Sequence, residues 1–203
     1  EEITNGLLAG AERALQASGN DIYSVVRVPG AFELPLAAQY AIEDGAEVVI
    51  RVIRPEDEPL IVRLFECFSE QTIRMRFFSM IKRLTHDALI RLCHLDYDRE
   101  MALIAVVTDK EQEIEVGVAR YVTLPDGKSC EFAIVVADAW QGRGLGRVLL
   151  ALLADTARER GFAEMNGYVL ALNLAMIALC ERLGFAISDD PDDAKIKRVS
   201  LKL

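Results

Sequence analysis

The run from Phe132 to Leu153 constrains this chain more than any other. Phe132-Ala133-Ile134-Val135-Val136 is an apolar β-type run, and Val148-Leu149-Leu150-Ala151-Leu152-Leu153 has a helical pattern. Between them lies the glycine-bearing turn Asp138-Ala139-Trp140-Gln141-Gly142-Arg143-Gly144-Leu145-Gly146-Arg147. Strand, turn and helix N-terminus together make an anion cradle. Unpaired amides of a first helical turn converge on one spot, and the helix dipole adds roughly half a positive charge there. Glycines let a ligand approach the backbone with no Cβ in the way. A phosphate or pyrophosphate is therefore expected at this turn.

Spacing separates the turn from other glycine loops. A P-loop needs Lys-Ser or Lys-Thr after its second glycine, and neither follows here. A dinucleotide fingerprint needs a third glycine or alanine where Arg147 stands. Gln141-x-x-Gly144-x-Gly146 instead resembles the acyl-CoA pyrophosphate loop of the GNAT acetyltransferases. A glycine turn that only starts a helix would share this composition, so the flanking sequence has to decide.

The 203 residues suffice for one large domain, or for one domain plus an appendage. No apolar run approaches the roughly 20 residues of a membrane-spanning helix. Cys67, Cys93, Cys130 and Cys180 are scattered without a Cys-x-x-Cys pair, and His86 and His94 are the two histidines. That pattern argues against zinc and against a disulfide framework, and fits a reducing cytoplasm. The net charge of −9 argues against nucleic-acid binding. The charge is uneven: residues 1–50 hold 8 acidic and 2 basic residues, the remainder 24 and 21.

Residues 1–48 read as a helix over Ile3–Leu15, a strand over Ile22–Val28, and a second helix over Leu34–Ile42 with proline in its first turn. Val26-Arg27-Val28-Pro29-Gly30-Ala31-Phe32-Glu33-Leu34-Pro35 resembles the early part of lumazine synthase. In that family the Gly-Ala-Phe-Glu turn contacts the pyrimidine substrate, which would carry over to Ala31, Phe32 and Glu33. The likeness stops near Ala46–Ile50, and the family's later phosphate-binding and histidine-bearing segment has no counterpart. Lumazine synthase activity is therefore not expected. The segment 1–48 is read as an appendage or fusion remnant, and 49–203 as the larger domain.

From Glu47 the pattern gives a strand to Ile53, helices after Pro55 and after Ser69, and a helix from the N-cap Thr85 to about His94. Strands follow at Met101–Val107, Ile114–Leu124 and Glu131–Ala137, the last two joined by the turn Pro125-Asp126-Gly127-Lys128. After the glycine-turn helix come a strand Met165–Leu170, a helix Asn173–Leu183 stopped by Gly184, and late strands at Ile187 and Lys195–Leu203. The order β-α-α-β-β-β-α-β-α-β-β predicts an α/β (α+β) domain with a mixed, mostly antiparallel central sheet flanked by helices. It is also the GNAT element order.

Within that superfamily, residues 50–203 resemble the catalytic domain of bacterial Pat-type protein lysine acetyltransferases. The narrower likeness lies in Ile53-Arg54-Pro55-Glu56-Asp57-Glu58, Arg76-Phe77-Phe78 and Asp96-Tyr97-Asp98-Arg99-Glu100-Met101-Ala102-Leu103. The resemblance implies acetyl-CoA as cofactor and places the family's catalytic glutamate at Glu131, where it can take a proton from an amine directly or through water. It puts the acyl carbonyl against a backbone amide near Val135 or Val136, freed by a bulge. The pyrophosphate falls on amides from Gly142 through Gly144, Leu145 and Gly146 to Arg147. Arginine at a helix start opposes the dipole, so Arg143 and Arg147 point to an anion beside them. Asn173 would face the pantetheine arm or simply cap its helix. Many relatives carry a tyrosine general acid where Cys180 stands, so a dedicated acid for the leaving thiolate is in doubt here.

The leading reading is an acetyl-CoA-dependent transferase acting on lysine ε-amines of proteins. A small-amine N-acetyltransferase and a non-catalytic acyl-CoA sensor stand beside it, as does a lumazine-synthase-type assembly element. Glu131 speaks against the sensor, and an open acceptor groove would favour protein over small-amine substrates.

Overall fold

The computed structural model describes residues 24–26, 37–42, 45–110 and 112–203. Their strands form one nine-stranded sheet in the order β1-β2-β3-β4-β5-β6-β7-β9-β8. These are Ser24–Val26, Ala37–Ala41, Glu47–Val52, Glu100–Asp109, Gln112–Thr123, Ser129–Val136, Glu164–Leu170, Ala186–Asp189 and Ile196–Lys202, numbered β1 to β9. Every neighbouring pair is antiparallel except β6 and β7. Three helices separate β3 from β4, at the three places the sequence pattern gives: α1 (Glu58–Glu66), α2 (Glu70–Phe77) and α3 (His86–Cys93). The long α4 (Leu145–Glu159) joins β6 to β7, and α5 (Leu174–Arg182) joins β7 to β8.

The sheet is apolar on both faces because β4 is. Met101, Leu103 and Ala105 join one core with α4, whereas Ala102, Ile104 and Val106 join a second with Ile61 of α1 and Cys93 of α3. Period-two alternation sends successive side chains of one strand to opposite layers. Leu145, Leu149, Leu150 and Leu153 of α4 are fully buried in the first core. Each contributes about 1.5–3 kcal/mol by the usual scale for apolar burial. Ser69 and Thr85 cap α2 and α3 by accepting from the amides of Thr72 and Ala88. Among the described residues no helix is long and apolar enough to cross a membrane.

The second layer carries a buried ion pair. Arg51 on β3 donates to both oxygens of Asp57, at 2.7 and 2.8 Å, and to Glu113 on β5 at 2.6 Å. Burial works against the Asp57 carboxylate. The bonds from Arg51 and the Arg54 amide outweigh that and hold its pKa below the ordinary value.

One expected element is corrected. Residues 37–41, placed in a helix over Leu34–Ile42, form strand β2, antiparallel to β3 with Ala38 opposite Ile50 and Tyr40 opposite Val48. An unpaired β3 edge would leave a row of amides and carbonyls without partners. Tyr40 and Ile42, two apart as strand geometry requires, are buried in the first core at 1% and 4% exposure. Pairing and burial override the helical propensity that alanine gives this stretch. Ser24–Val26 is strand within the expected Ile22–Val28. The Ile3–Leu15 helix and the turn Ala31-Phe32-Glu33 lie outside the described residues.

Candidate active site

β6 and β7 run parallel and pair only from Ser129–Glu164 to Glu131–Asn166, after which the two strands part. The register of β5 with β6 fixes what faces the opening. The Ala137 amide donates to the Val116 carbonyl at 2.9 Å, and the Leu124 amide to the Ser129 carbonyl at 2.8 Å. Odd-numbered residues of β6 thus bond to β5, and even-numbered ones turn their N–H and C=O toward β7. Past Glu131, that leaves the amides of Ile134 and Val136 facing the gap, while the Val135 amide faces β5. Of the two expected candidates, the geometry puts Val136 at the opening. The opening comes from strand divergence, not from a bulge: β5 and β6 pair in unbroken register, and the irregularity lies between β4 and β5 at Ala105/Val106.

The glycine turn closes one end of this gap. Gly142 and Gly144 have φ of 74° and 85°, in the left-handed region that disfavours side chains. A Cβ on Gly142 would meet nothing within 4 Å, so the backbone there faces open space. Gly144 is the N-cap of α4 and supplies no side-chain cap, which leaves the first-turn amides of Leu145 and Gly146 without one. Leu145 can offer only this amide, because its side chain is buried in the core. Gly146 packs beside Leu179 and Val136, and Arg147 follows it in the first turn. The Arg143 guanidinium lies 4.3 Å from the centre of the Trp140 ring. These features suit a pyrophosphate: open glycines, uncapped amides and two arginines at the start of a 15-residue helix.

Contacts to α2 hold the turn in place. Asp138 accepts from the Ser69 amide at 3.0 Å, the Ser69 hydroxyl at 2.6 Å and the Thr72 hydroxyl at 2.9 Å. Burial pushes its carboxyl up, and these bonds more than reverse that, leaving its pKa below the ordinary range. Gln141 donates to the Thr72 hydroxyl at 3.2 Å and to the Val136 carbonyl at 3.0 Å. Its side chain therefore braces the loop against β6. Asn173 caps α5 by accepting from the Met176 amide at 3.2 Å.

Glu131 is exposed, at the point where β6 and β7 part. It lies opposite Val122 on β5, one step from the pair Arg120–Ala133. Directly opposed residues share a face, so Glu131, Val122, Arg120, Ala133 and Val135 all point to the α1–α3 side. A cavity of about 40 Å³ there is lined by Phe65, Phe68, Arg76, Phe77, Ala133 and Val135, among others. A larger groove of about 540 Å³ adjoins it, between α2–α3 and the ends of β4 and β5. Sequence reasoning assigned no role to Arg76 and Arg120, which bring positive charge beside Glu131. The available signal was Arg120 alternating with Val118 and Val122 on an otherwise apolar strand face.

Other polar residues stand apart from the gap. His94 is 3.1 Å from Glu58. Cys180 is fully buried, and burial, with a further push from Glu181, raises its thiol to about 12. It packs in the core as a thiol.

A strand pair that opens beside a carboxylate, with free amides in the gap and a glycine turn at its end, defines the acyl-CoA-dependent N-acyltransferases. The chain belongs to the acetyltransferase (GNAT) family, which matches residues 64–185. It is 38% identical over 154 residues to an acetyltransferase of Pseudomonas aeruginosa, covering 76% of this chain and 83% of that one. The solved GNAT domain of S. lividans PAT superposes with a TM-score of 0.75 at 26% identity, covering 87% of this chain and all of that domain. The protein is thus an acetyl-CoA-dependent N-acyltransferase. Residues 1–54 separately match 6,7-dimethyl-8-ribityllumazine synthase. Over 50 residues the chain is 58% identical to that enzyme from Leifsonia xyli, covering 25% of this chain and 31% of the enzyme. The likeness therefore spans under a third of a lumazine synthase.

Proposed function

We propose that the protein acetylates lysine ε-amines of protein acceptors, with Glu131 as general base and residues 49–203 as the catalytic unit. The observation that carries this reading is Glu131 itself, an exposed carboxylate at the parting of β6 and β7. Bound acetyl-CoA supplies an activated thioester carbonyl. The amides of Gly142, Gly144, Leu145 and Gly146, with Arg143 and Arg147, would hold its pyrophosphate at the start of α4. The pantetheine arm would then lie between β6 and β7, with Asn173 at the start of α5 beside it. The Val136 amide, preorganised toward the gap, would take the negative charge that builds on the acyl oxygen.

A lysine is cationic at neutral pH and must lose a proton before it can attack. Glu131 would accept that proton from the α1–α3 side, opposite α4, directly or through one water. The attacking amine and the leaving thiol would thus lie on opposite sides of the strand gap. Cys180, where many relatives carry a tyrosine acid, is buried, and a thiol of ordinary pKa near 8.5 leaves with little help. The groove that includes Val122, directly opposite Glu131, and Arg120 is open and large enough for a segment of polypeptide.

Thiol release with acetyl-CoA and a panel of lysine-bearing proteins and small amines tests the proposal. Glu131→Gln should lower kcat roughly 10²–10⁴-fold and retain CoA binding. Absence of acceptor-dependent release in the native chain, with CoA still bound, would refute the transferase reading and favour a sensor. Turnover confined to small amines would shift the acceptor class.

A further inference from the structure

The groove beside Glu131 has the opposite charge character to the chain around it. The chain carries −9 overall, yet Arg83, Arg91 and Arg120 line the groove with Glu100 as its carboxylate. Arg76 lines the adjoining cavity. Arg120 is held in place: its Nη2 donates to Glu100 at 3.2 Å and to the Arg91 carbonyl at 3.3 Å. Arg76 is not. Its guanidinium lies 5.0 Å from the centre of the Phe77 ring and, among the described residues, makes no hydrogen bond or ion pair. Burial and the neighbouring Arg120 lower its pKa, and Glu131 pulls the other way. A guanidinium still carries its charge at neutral pH, so this crowded cation has Glu131 as a nearby opposite charge but no carboxylate bonded to it.

Resting on the acetyltransferase reading above, we propose that Arg76, backed by Arg120, binds an acidic side chain of the acceptor. The preferred acceptor is then a lysine with Asp or Glu one or two positions away. Glu131 is a diagonal neighbour of Arg120 across β5 and β6, a separation of about 7–8 Å between such positions, and Arg76 lines the same cavity as Arg120. Successive Cα atoms of an extended peptide are about 3.8 Å apart, so a residue one or two from the lysine spans that distance. A planar guanidinium can hold a carboxylate through two parallel N–H bonds. Phe77 and Ile81 add apolar contact along the groove. The occupant is thus a polypeptide with a carboxylate near its lysine.

The test uses the full chain, acetyl-CoA and peptides sharing one lysine, with flanking Asp or Glu, their amide isosteres, or Lys. Acidic peptides should exceed their amide isosteres about tenfold in kcat/KM, mostly through KM, with an advantage that shrinks as salt rises. Arg76→Gln should bring that ratio close to one. Arg76→Glu should invert it in favour of the Lys-flanked peptide, an outcome a misfolded variant cannot give. Equal use of acidic and amide peptides by the native chain would overturn the assignment. So would an Arg76→Gln variant that loses kcat alike on every peptide with a shifted pH profile, since Arg76 would then act on Glu131. If no peptide is acetylated, it is the transferase reading that fails, and calorimetric titration of the same peptides into the CoA-bound chain decides for Arg76. The same tenfold preference, lost in Arg76→Gln, supports the assignment there; equal affinities overturn it.

Discussion

Glu115 should make the stability of this protein fall as pH rises, and Glu115→Gln should remove that fall. The residue lies on β5 opposite Val106, is 4% exposed, and neither carboxyl oxygen has a hydrogen-bond partner. Burial raises its pKa most and Asp57 adds to this, while Arg51 opposes, so the net value lies well above the ordinary carboxylate range. Arg51 is already committed to Asp57 and Glu113. The folded chain thus keeps Glu115 protonated at a pH where the unfolded chain has released the proton. With the folded pKa above the unfolded one, the contribution to stability is fully present below about pH 4.5 and lost as pH rises toward the folded value. While the folded carboxyl stays protonated, each pH unit above that costs about 1.4 kcal/mol. For a chain of this size, that is roughly 3–6 °C in Tm per unit. Thermal melts followed by circular dichroism at pH 5, 6 and 7 should show the gap between Glu115→Gln and the native chain widening step by step. A gap that stays constant from pH 5 to 7 would mean that Glu115 is ionised in the fold, and would refute the reasoning.

Two other positions follow from backbone and packing. A Cβ on Gly167 would lie 2.5 Å from Cε1 of Phe132, whose ring is backed by Phe185 at 5.3 Å. Gly167→Ala should cost about 1–3 kcal/mol in urea unfolding and weaken CoA binding by displacing β7; unchanged stability would show that the ring has room to move. Gly144→Val places a β-branched residue at φ 85° on the wall of the cradle. It should cost about 1–3 kcal/mol and abolish CoA binding. Quenching of Trp140, the chain's one tryptophan and a member of the same turn, reports that binding, and retained affinity would exclude the turn as the pyrophosphate site.

The parts of the fold legible in the sequence are those set by local physics. Met101–Val107 has an unbroken apolar run because both faces of β4 are covered, and Ser69, Thr85 and Asn173 cap helices because their side chains reach an amide three residues on. The glycine turn reads clearly since left-handed backbone leaves few residue choices. What escaped depends on contacts distant in sequence. Arg76 approaches Glu131 from a helix 55 positions earlier, and nothing near either residue signals the other. Gln112-Glu113-Ile114-Glu115 has the composition of a solvated strand end, yet Glu115 is buried beneath α1. The bulge at Ala105/Val106 shifts the pairing there and is invisible to periodicity. Which of Val135 and Val136 faces the gap follows from which edge of β6 meets β5, a matter of register that composition does not encode.

The same limit explains how a lumazine-synthase-like segment comes to sit in this sheet. β3, Glu47–Val52, falls within the stretch 1–54 that matches lumazine synthase and precedes the stretch matching the acetyltransferase family. It nevertheless pairs along one edge with β4, Ile50 opposite Ala105, and along the other with β2. Alternation fixes which residues of a strand face each layer; it leaves open which strand lies alongside and in which direction. Val48 and Ile50 satisfy the first core from β3 just as Tyr40 of β2 and Ile42, which follows it, do. An edge of β4 left bare would offer unpaired backbone to any extended chain. A segment whose apolar residues alternate correctly can therefore be taken into the acetyltransferase sheet without any site of its own. The boundary drawn at residues 48 and 49 falls inside β3. Tyr40 of β2 and Val48 and Ile50 of β3 are buried in the same core as α4, so the two strands pack with the domain that follows.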